Sequence, residues 1–198
     1  MNSIDDLDLT KTYTYADYYS WKFEERLELI KGKIFKMSPA PGNTHQEIAL
    51  NIAGDLRNFL KNKSCKVYIA PFDVRLVREE KSDKKVKTVV QPDVCVVCDL
   101  SKTADNRGCL GAPDIVVEIL SPGNNKKELN IKYDLYEEFG VKEYWVVYPN
   151  ELSLVRYSLN KDGKFTTEEK AFTVGDIITT PILPGFELSL DDVFLNLT

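Results

Sequence analysis

Gln91-Pro92-Asp93-Val94-Cys95-Val96-Val97 and Pro113-Asp114-Ile115-Val116-Val117-Glu118-Ile119-Leu120 decide the fold of this chain, because both are apolar almost throughout and both carry carboxylates. Runs of Val, Ile and Leu without polar alternation are strands covered on both faces, as at the centre of an α/β sheet. An ionised carboxylate in such a strand must neutralise, find a cationic partner or bind a cation, since an isolated buried charge is expensive. Asp93 and Glu118 therefore ask for an explanation other than packing.

The segment after Glu118 raises the same question. A helix is predicted from about Lys126 to Phe139, stopped by Gly140. At 100° per residue Leu129, Ile131, Tyr133, Leu135, Tyr136 and Phe139 form one broad apolar arc, and Lys132 falls near its centre. A lysine belongs in water unless its ammonium has a partner inside or its stem snorkels outward. Asp93, Glu118 and Lys132 thus occupy three positions that the hydrophobic pattern reserves for core.

Further out, Tyr13 to Trp21 reads as a short helix capped by Thr12 or Thr14. Arg26 to Ile30 and Lys33 to Met37 flank a Lys31-Gly32 turn as a hairpin. After the loop Ser38-Pro39-Ala40-Pro41-Gly42, Thr44 and Glu47 suit a capping box opening a helix to about Lys61, with His45 inside its apolar stripe. Strands follow at Lys66 to Ala70, Phe72 to Val77 and Glu143 to Tyr148, then an antiparallel-looking tail at Leu152 to Leu159, Phe165 to Phe172 and Pro184 to Phe194. The expected architecture is a mixed α/β sheet core flanked by helices, with additional β-hairpins. It forms a single domain over residues 1–198 in which 1–12 is a flexible tail.

At 43% hydrophobic and 29% charged residues, the composition is that of a soluble globular chain and excludes disorder. No apolar run reaches membrane-spanning length and the acidic opening lacks the order of a secretory signal, so a cytoplasmic protein without a membrane partner is expected. Cys95-Val96-Val97-Cys98 has CxxC spacing, but side chains three apart on a strand point to opposite faces. With His45 the only histidine, the four cysteines read as core packing and not as a zinc site. The net charge of −5 argues against indiscriminate adhesion to nucleic acid. From Arg57 to Lys87, however, ten basic residues stand against four acidic ones. Arg75, Arg78, Lys84, Lys85 and Lys87 are accordingly the candidate nucleic-acid-binding residues, and a solvated hairpin tip around Glu79 to Lys87 is the alternative reading.

Two carboxylates converging on one point bind a hard divalent cation such as Mg²⁺ or Mn²⁺, whose charge relieves their repulsion. A lysine beside them completes a hydrolytic site, because the cation acidifies water while the ammonium stabilises charge developing on phosphorus. A buried Glu118–Lys132 ion pair, with Asp93 capping a loop end, accounts for the same pattern without chemistry.

The order of an early Glu, an Asp after Pro opening a buried strand and a Glu in the next buried strand resembles the PD-(D/E)XK nuclease superfamily. The finer pattern is similar to the Uma-type restriction endonuclease family. The matching segments are Glu28-Leu29-Ile30-Lys31-Gly32, the helix opening at His45, Phe72-Asp73-Val74-Arg75-Leu76, Gln91-Pro92-Asp93-Val94, Val117-Glu118-Ile119-Leu120-Ser121-Pro122, Lys132-Tyr133-Asp134-Leu135-Tyr136, Gly140-Val141-Lys142-Glu143-Tyr144-Trp145 and Leu183-Pro184-Gly185-Phe186. The resemblance implies a restriction-endonuclease-like core and phosphodiester hydrolysis in DNA with Mg²⁺ or Mn²⁺. It implies Asp93 and Glu118 as metal ligands, Glu28 as a further direct or water-mediated carboxylate and a homodimer. In the superfamily signature the lysine stands two residues after the second carboxylate, where this chain has Leu120, so the resemblance moves that role to Lys132. Asp73 and His45 are expected to support the site from behind, and Asp114 to open its strand without taking part. A catalytically inactive nucleic-acid-binding or assembly module on the same fold is the other class of function open to this sequence.

Overall fold

The computed structural model describes residues 4, 7–22, 25–37, 41–78, 82–121, 126–195 and 197. In chain order its elements are α1 (Tyr15–Ser20), β1 (Leu27–Ile30), β2 (Lys33–Lys36), α2 (Asn43–Leu60), β3 (Lys66–Ile69), β4 (Val74–Arg75), β5 (Val89–Val90) and β6 (Val94–Val97). A 3₁₀ turn at Leu100–Thr103 leads to β7 (Cys109–Leu110), β8 (Ile115–Ile119), α3 (Lys126–Phe139), β9 (Glu143–Tyr148) and β10 (Ser153–Leu159). Then come β11 (Phe165–Thr167), β12 (Phe172–Thr173), β13 (Ile177–Thr179), β14 (Glu187–Ser189) and α4 (Leu190–Val193).

The larger sheet has the order β11-β10-β9-β8-β6-β3, with β12 also on β10, and β8–β9 is its parallel pair. The two apolar strands β6, which Asp93 precedes, and β8, which carries Glu118, lie inside it, and every residue of both is buried. Alternation then divides their side chains. Val94, Val96, Ile115, Val117 and Ile119 pack with Ile48, Ile52 and Leu56 of α2. Cys95, Val97 and Val116 pack on the opposite side with Leu135 and Tyr136 of α3. Period-2 alternation puts Glu118 on the Val116 side, under α3.

The smaller sheet, ordered β2-β1-β5-β4-β7, supplies the third wall. Its β1–β2 hairpin turns at Lys31 and Gly32, both at positive φ (51° and 80°), which is the two-residue turn whose twist suits a hairpin. Leu27 and Leu29 face a core shared with Ile4, Leu7, Tyr13, Tyr15 and Val89. Glu28 therefore points the other way, toward the larger sheet. Because Ile4 and Leu7 are buried there, the expected flexible tail does not extend to them.

Of the two caps open from the sequence, Thr14 is the one that caps α1, in a reciprocal box with Asp17. Other local expectations are corrected. Helix α2 opens earlier than a Thr44/Glu47 box would place it: Gly42 is the N-cap and contributes no side-chain bond. The strand expected over Phe72 to Val77 shrinks to β4, because Phe72 leaves the ladder to stack on Tyr68. The tail segments break into shorter strands plus α4. Cys65 and Cys98 form a disulfide, since β3 runs antiparallel to β6 with Lys66 opposite Val97 and so sets the two side by side, while Cys95 and Cys109 stay free and buried. Ser38 to Ala40, Pro122 and Glu79 to Lys81 lie outside the described residues. No helix among the described residues is long and apolar enough to cross a membrane.

Candidate active site

Three elements bring the marked side chains to one cleft of about 370 Å³. β8 carries Glu118, α3 carries Lys132 and β1 carries Glu28. Lys132 Nζ donates to Glu118 Oε1 at 2.8 Å and to Glu28 Oε1 at 3.1 Å. All three are nearly out of solvent, Glu28 at 4%, Lys132 at 7% and Glu118 at 9% exposure. Tyr136, one helical turn after Lys132, donates to the same Glu118 oxygen at 2.6 Å, and the Gln91 amide donates to Glu28 Oε1 at 2.9 Å.

Asp93 sits just before β6, and its Oδ2 accepts the Ile119 amide at 2.8 Å, which ties it to the residue beside Glu118. His45, in the first turn of α2, places Nε2 at 3.2 Å from the same oxygen. One oxygen of each carboxylate is thus anchored to protein, while Asp93 Oδ1 and Glu118 Oε2 accept no hydrogen bond from a described residue.

The cluster is electrically strained in a particular direction. Burial, reinforced by Asp93 and Glu28 and only partly offset by Lys132, pushes the Glu118 carboxyl up to about 7. Burial alone would lower Lys132, but Glu118 and Glu28 outweigh it and hold the ammonium well above the ordinary lysine range. Burial likewise opposes a charged His45, and Asp93 overcomes it, so the imidazole sits above its usual value. One buried ammonium among three carboxylates leaves an excess of negative charge that a divalent cation would relieve. Among the described residues no three His, Cys, Asp or Glu side chains form a cage of their own. A pair of carboxylates with uncommitted oxygens fits Mg²⁺, which keeps several waters and is typically held by one or two carboxylates plus substrate phosphate.

Asp73 stands behind the cluster. Its Oδ1 accepts from Gln91 Nε2 at 2.9 Å and from Tyr18 at 3.1 Å, and Gln91 Oε1 accepts from both Arg26 Nε and a terminal Arg26 nitrogen, the latter at 2.8 Å. Burial raises the Asp73 carboxyl. Gln91, Arg26 and Tyr136 were not among the sequence candidates. Tyr136 had a readable signal, lying four residues from Lys132 on one helix face, whereas Gln91 and Arg26 meet the site only through tertiary pairing. Asp114 lies elsewhere, accepting from the Cys98 amide and Lys142, so it supports its strand and not the cleft.

The basic segment separates. Arg75 is wholly buried, with its guanidinium on Asp105 at 2.7 and 2.8 Å, which corrects its assignment to nucleic acid. Arg78 donates to the Glu138 carbonyl. Lys84, Lys85 and Lys87 are exposed but do not line the cleft. Arg57 lies twelve residues along α2 from His45, about 18 Å away at the helical rise.

Among solved structures the chain is similar to a protein from Anabaena variabilis ATCC 29413 described as "a putative nuclease belonging to DUF820". The TM-score is 0.70 at 18% identity, covering 91% of this chain and 97% of that one. The likeness shows that the mixed α/β fold expected from the sequence is the fold of that protein. No curated protein matches the sequence. A family model described as "Putative restriction endonuclease" matches residues 15–191. The chain belongs to that family, Uma2.

Proposed function

We propose that this chain is an endonuclease that hydrolyses DNA phosphodiester bonds with Mg²⁺ or Mn²⁺ held by Asp93 and Glu118. The observation that carries the reading is Lys132 Nζ fixed between Glu118 and Glu28 in an open cleft that Asp93 also lines. A cation there supplies Lewis-acid polarisation of a phosphoryl oxygen and acidifies water. The protein's own residues do the rest. The Lys132 ammonium offsets charge developing on the phosphoryl oxygens. His45 and the Ile119 amide fix Asp93, and the Gln91 amide and Lys132 fix Glu28. Water oxygen bonds to phosphorus as the bond to the leaving sugar oxygen breaks; the attacking water gives up one proton to solvent and the leaving oxygen takes one up. Because one cluster cuts one strand, paired chains would be needed to sever a duplex.

The test incubates purified protein with plasmid and single-stranded DNA, with Mg²⁺, Mn²⁺ or EDTA, beside Glu118→Gln. The reading expects cleavage that needs the cation and vanishes in the variant. Cleavage that survives Glu118→Gln or EDTA sinks it, as does salt-sensitive binding with no cleavage, which would favour a non-catalytic module.

A further inference from the structure

We infer that the cleft takes a nucleic-acid strand with unstacked bases, single-stranded or locally unpaired, and that Phe35 is the surface on which a base beside the reacting phosphate stacks. The inference rests on the nuclease reading above and names the form of its substrate.

Phe35 lies on β2, the edge strand of the smaller sheet, directly opposite Glu28 in the antiparallel register. Opposed residues share a sheet face with Cβ atoms about 5 Å apart, so the ring stands beside a carboxylate of the cluster. It lines the same cleft and is 36% exposed, although a phenyl ring gains most from burial. A second apolar wall opens on the other side of Asp93. There Ala49 and Leu50 of α2 face Ile69 and Ala70 across a groove that shares Arg26, His45 and Asp93 with the cleft. Leu50 is 69% exposed and Ile69 is 56% exposed.

The charges of the cleft point the same way. Proteins that grip duplexes do so largely by neutralising several phosphates. Among the described residues, four carboxylates line this cleft against three Lys and Arg side chains. Of these three cations, Lys132 is paired with Glu118 and Glu28, while Arg26, held on the neutral Gln91 side-chain oxygen, and Lys36 keep their charge. Two such charges beside four carboxylates are few for gripping a duplex by its phosphates, so the bases supply more of the affinity. In a duplex their faces are hidden by stacking, whereas an unpaired strand offers them to an aromatic ring and to aliphatic walls.

The test measures binding of a fluorescein-labelled oligodeoxynucleotide, alone and annealed to its complement, with Ca²⁺ in place of Mg²⁺. Wild type is compared with Phe35→Ala, Phe35→Trp and Ile69→Ser, and thermal unfolding checks that each exposed-site variant stays folded. The expected result is tighter binding of the single strand, weakened about tenfold by Phe35→Ala, restored by Phe35→Trp and unchanged for the duplex. Equal affinity for both forms, or indifference to Phe35→Ala, overturns the inference. Cleavage by the same proteins in Mg²⁺ separates the two readings. Duplex cleavage that needs Glu118 but ignores Phe35 defeats this inference alone, whereas Phe35-dependent strand binding without any cleavage defeats the nuclease reading and leaves base stacking standing.

Discussion

Asp93 Oδ2 accepts the backbone amide of Ile119 at 2.8 Å, so the carboxylate that precedes β6 is fastened to the residue that follows Glu118 on β8. The two candidate ligands are therefore linked by one hydrogen bond, from a backbone amide of β8 to the Asp93 side chain, and not by side-chain packing alone. That bond separates their roles in an experiment. Asp93→Asn keeps an oxygen for the Ile119 amide and should fold with a stability change within about 1 kcal/mol. It should nevertheless lose cation binding in calorimetry and at least about a hundredfold in cleavage rate, in keeping with the several kcal/mol that a Lewis acid contributes. Wild-type affinity for Mg²⁺ in this variant would remove Asp93 from the ligand set.

Lys132→Met keeps the stem of the side chain and deletes its charge, leaving Glu28 and Glu118 buried without their cation. Breaking such a pair costs about 3–5 kcal/mol near neutral pH. The sign with pH follows from protonation. A carboxyl whose folded value is raised contributes stability below its unfolded value, and that contribution is lost as pH rises through the folded one. Removing the ammonium raises the Glu118 carboxyl further, so urea denaturation should find the variant regaining stability as pH falls from 7 toward about 4.5. A deficit independent of pH would mean that the ammonium does not compensate these carboxylates.

In the wild type, Glu118 is raised to about 7 from an ordinary value of 4.5, so the protonated form is favoured by folding below that range. Ligation needs the ionised form. Mg²⁺ affinity and cleavage rate should therefore climb as pH passes through about 7, and the midpoint should move to lower pH as Mg²⁺ concentration rises. A flat profile from pH 5 to 8 (roughly the span in which a carboxyl so raised must titrate) would show that Glu118 is already ionised.

Asp105 is the opposite case. Hydrogen bonds from Arg75, partly opposed by burial, hold its carboxyl down at about 2 against an ordinary 3.8. Its contribution is present above the unfolded value and is lost as pH falls through the folded one. Asp105→Asn should flatten the acid limb of the stability curve below about pH 4 and cost on the order of 2 kcal/mol at neutral pH, because Arg75 is buried while Asp105 is partly screened. An unaltered acid limb would show that another carboxylate holds Arg75.

Gly108 has φ of +90°, and a Cβ there would meet the Asp73 carbonyl oxygen at 2.0 Å. Gly108→Ala should destabilise by about 2 kcal/mol or more from backbone conformation and collision together. The shift of Asp73 would reach Glu28 through Gln91, so activity should fall further than stability alone accounts for. Full activity in the folded variant would uncouple Asp73 from the cleft.

The buried strands and the lysine were legible because a charge inside an apolar pattern is an anomaly on one segment. Glu118 on β8 and Lys132 on α3 could each be marked without knowing what they touch. Arg75 misled, because an arginine on an alternating strand looks exposed until Asp105, thirty residues away, is found over it. Cys65 misled in the same manner, its partner Cys98 being set by the pairing of β3 with β6. Gln91 is ordinary in sequence and becomes a junction only when Glu28, Asp73 and Arg26 arrive from other elements. Local anomalies survive translation into sequence, and non-local pairings do not.

Glu28 and Lys132 are separated by 104 positions and enter from the smaller sheet and from a helix. A ribosome delivers the first long before the second, and chains acquire order as they emerge. The charged trio cannot exist in a nascent fragment, nor in any partly melted form in which the hairpin has parted from α3. The cluster is thus a property of the assembled chain, absent until its last contributor has docked.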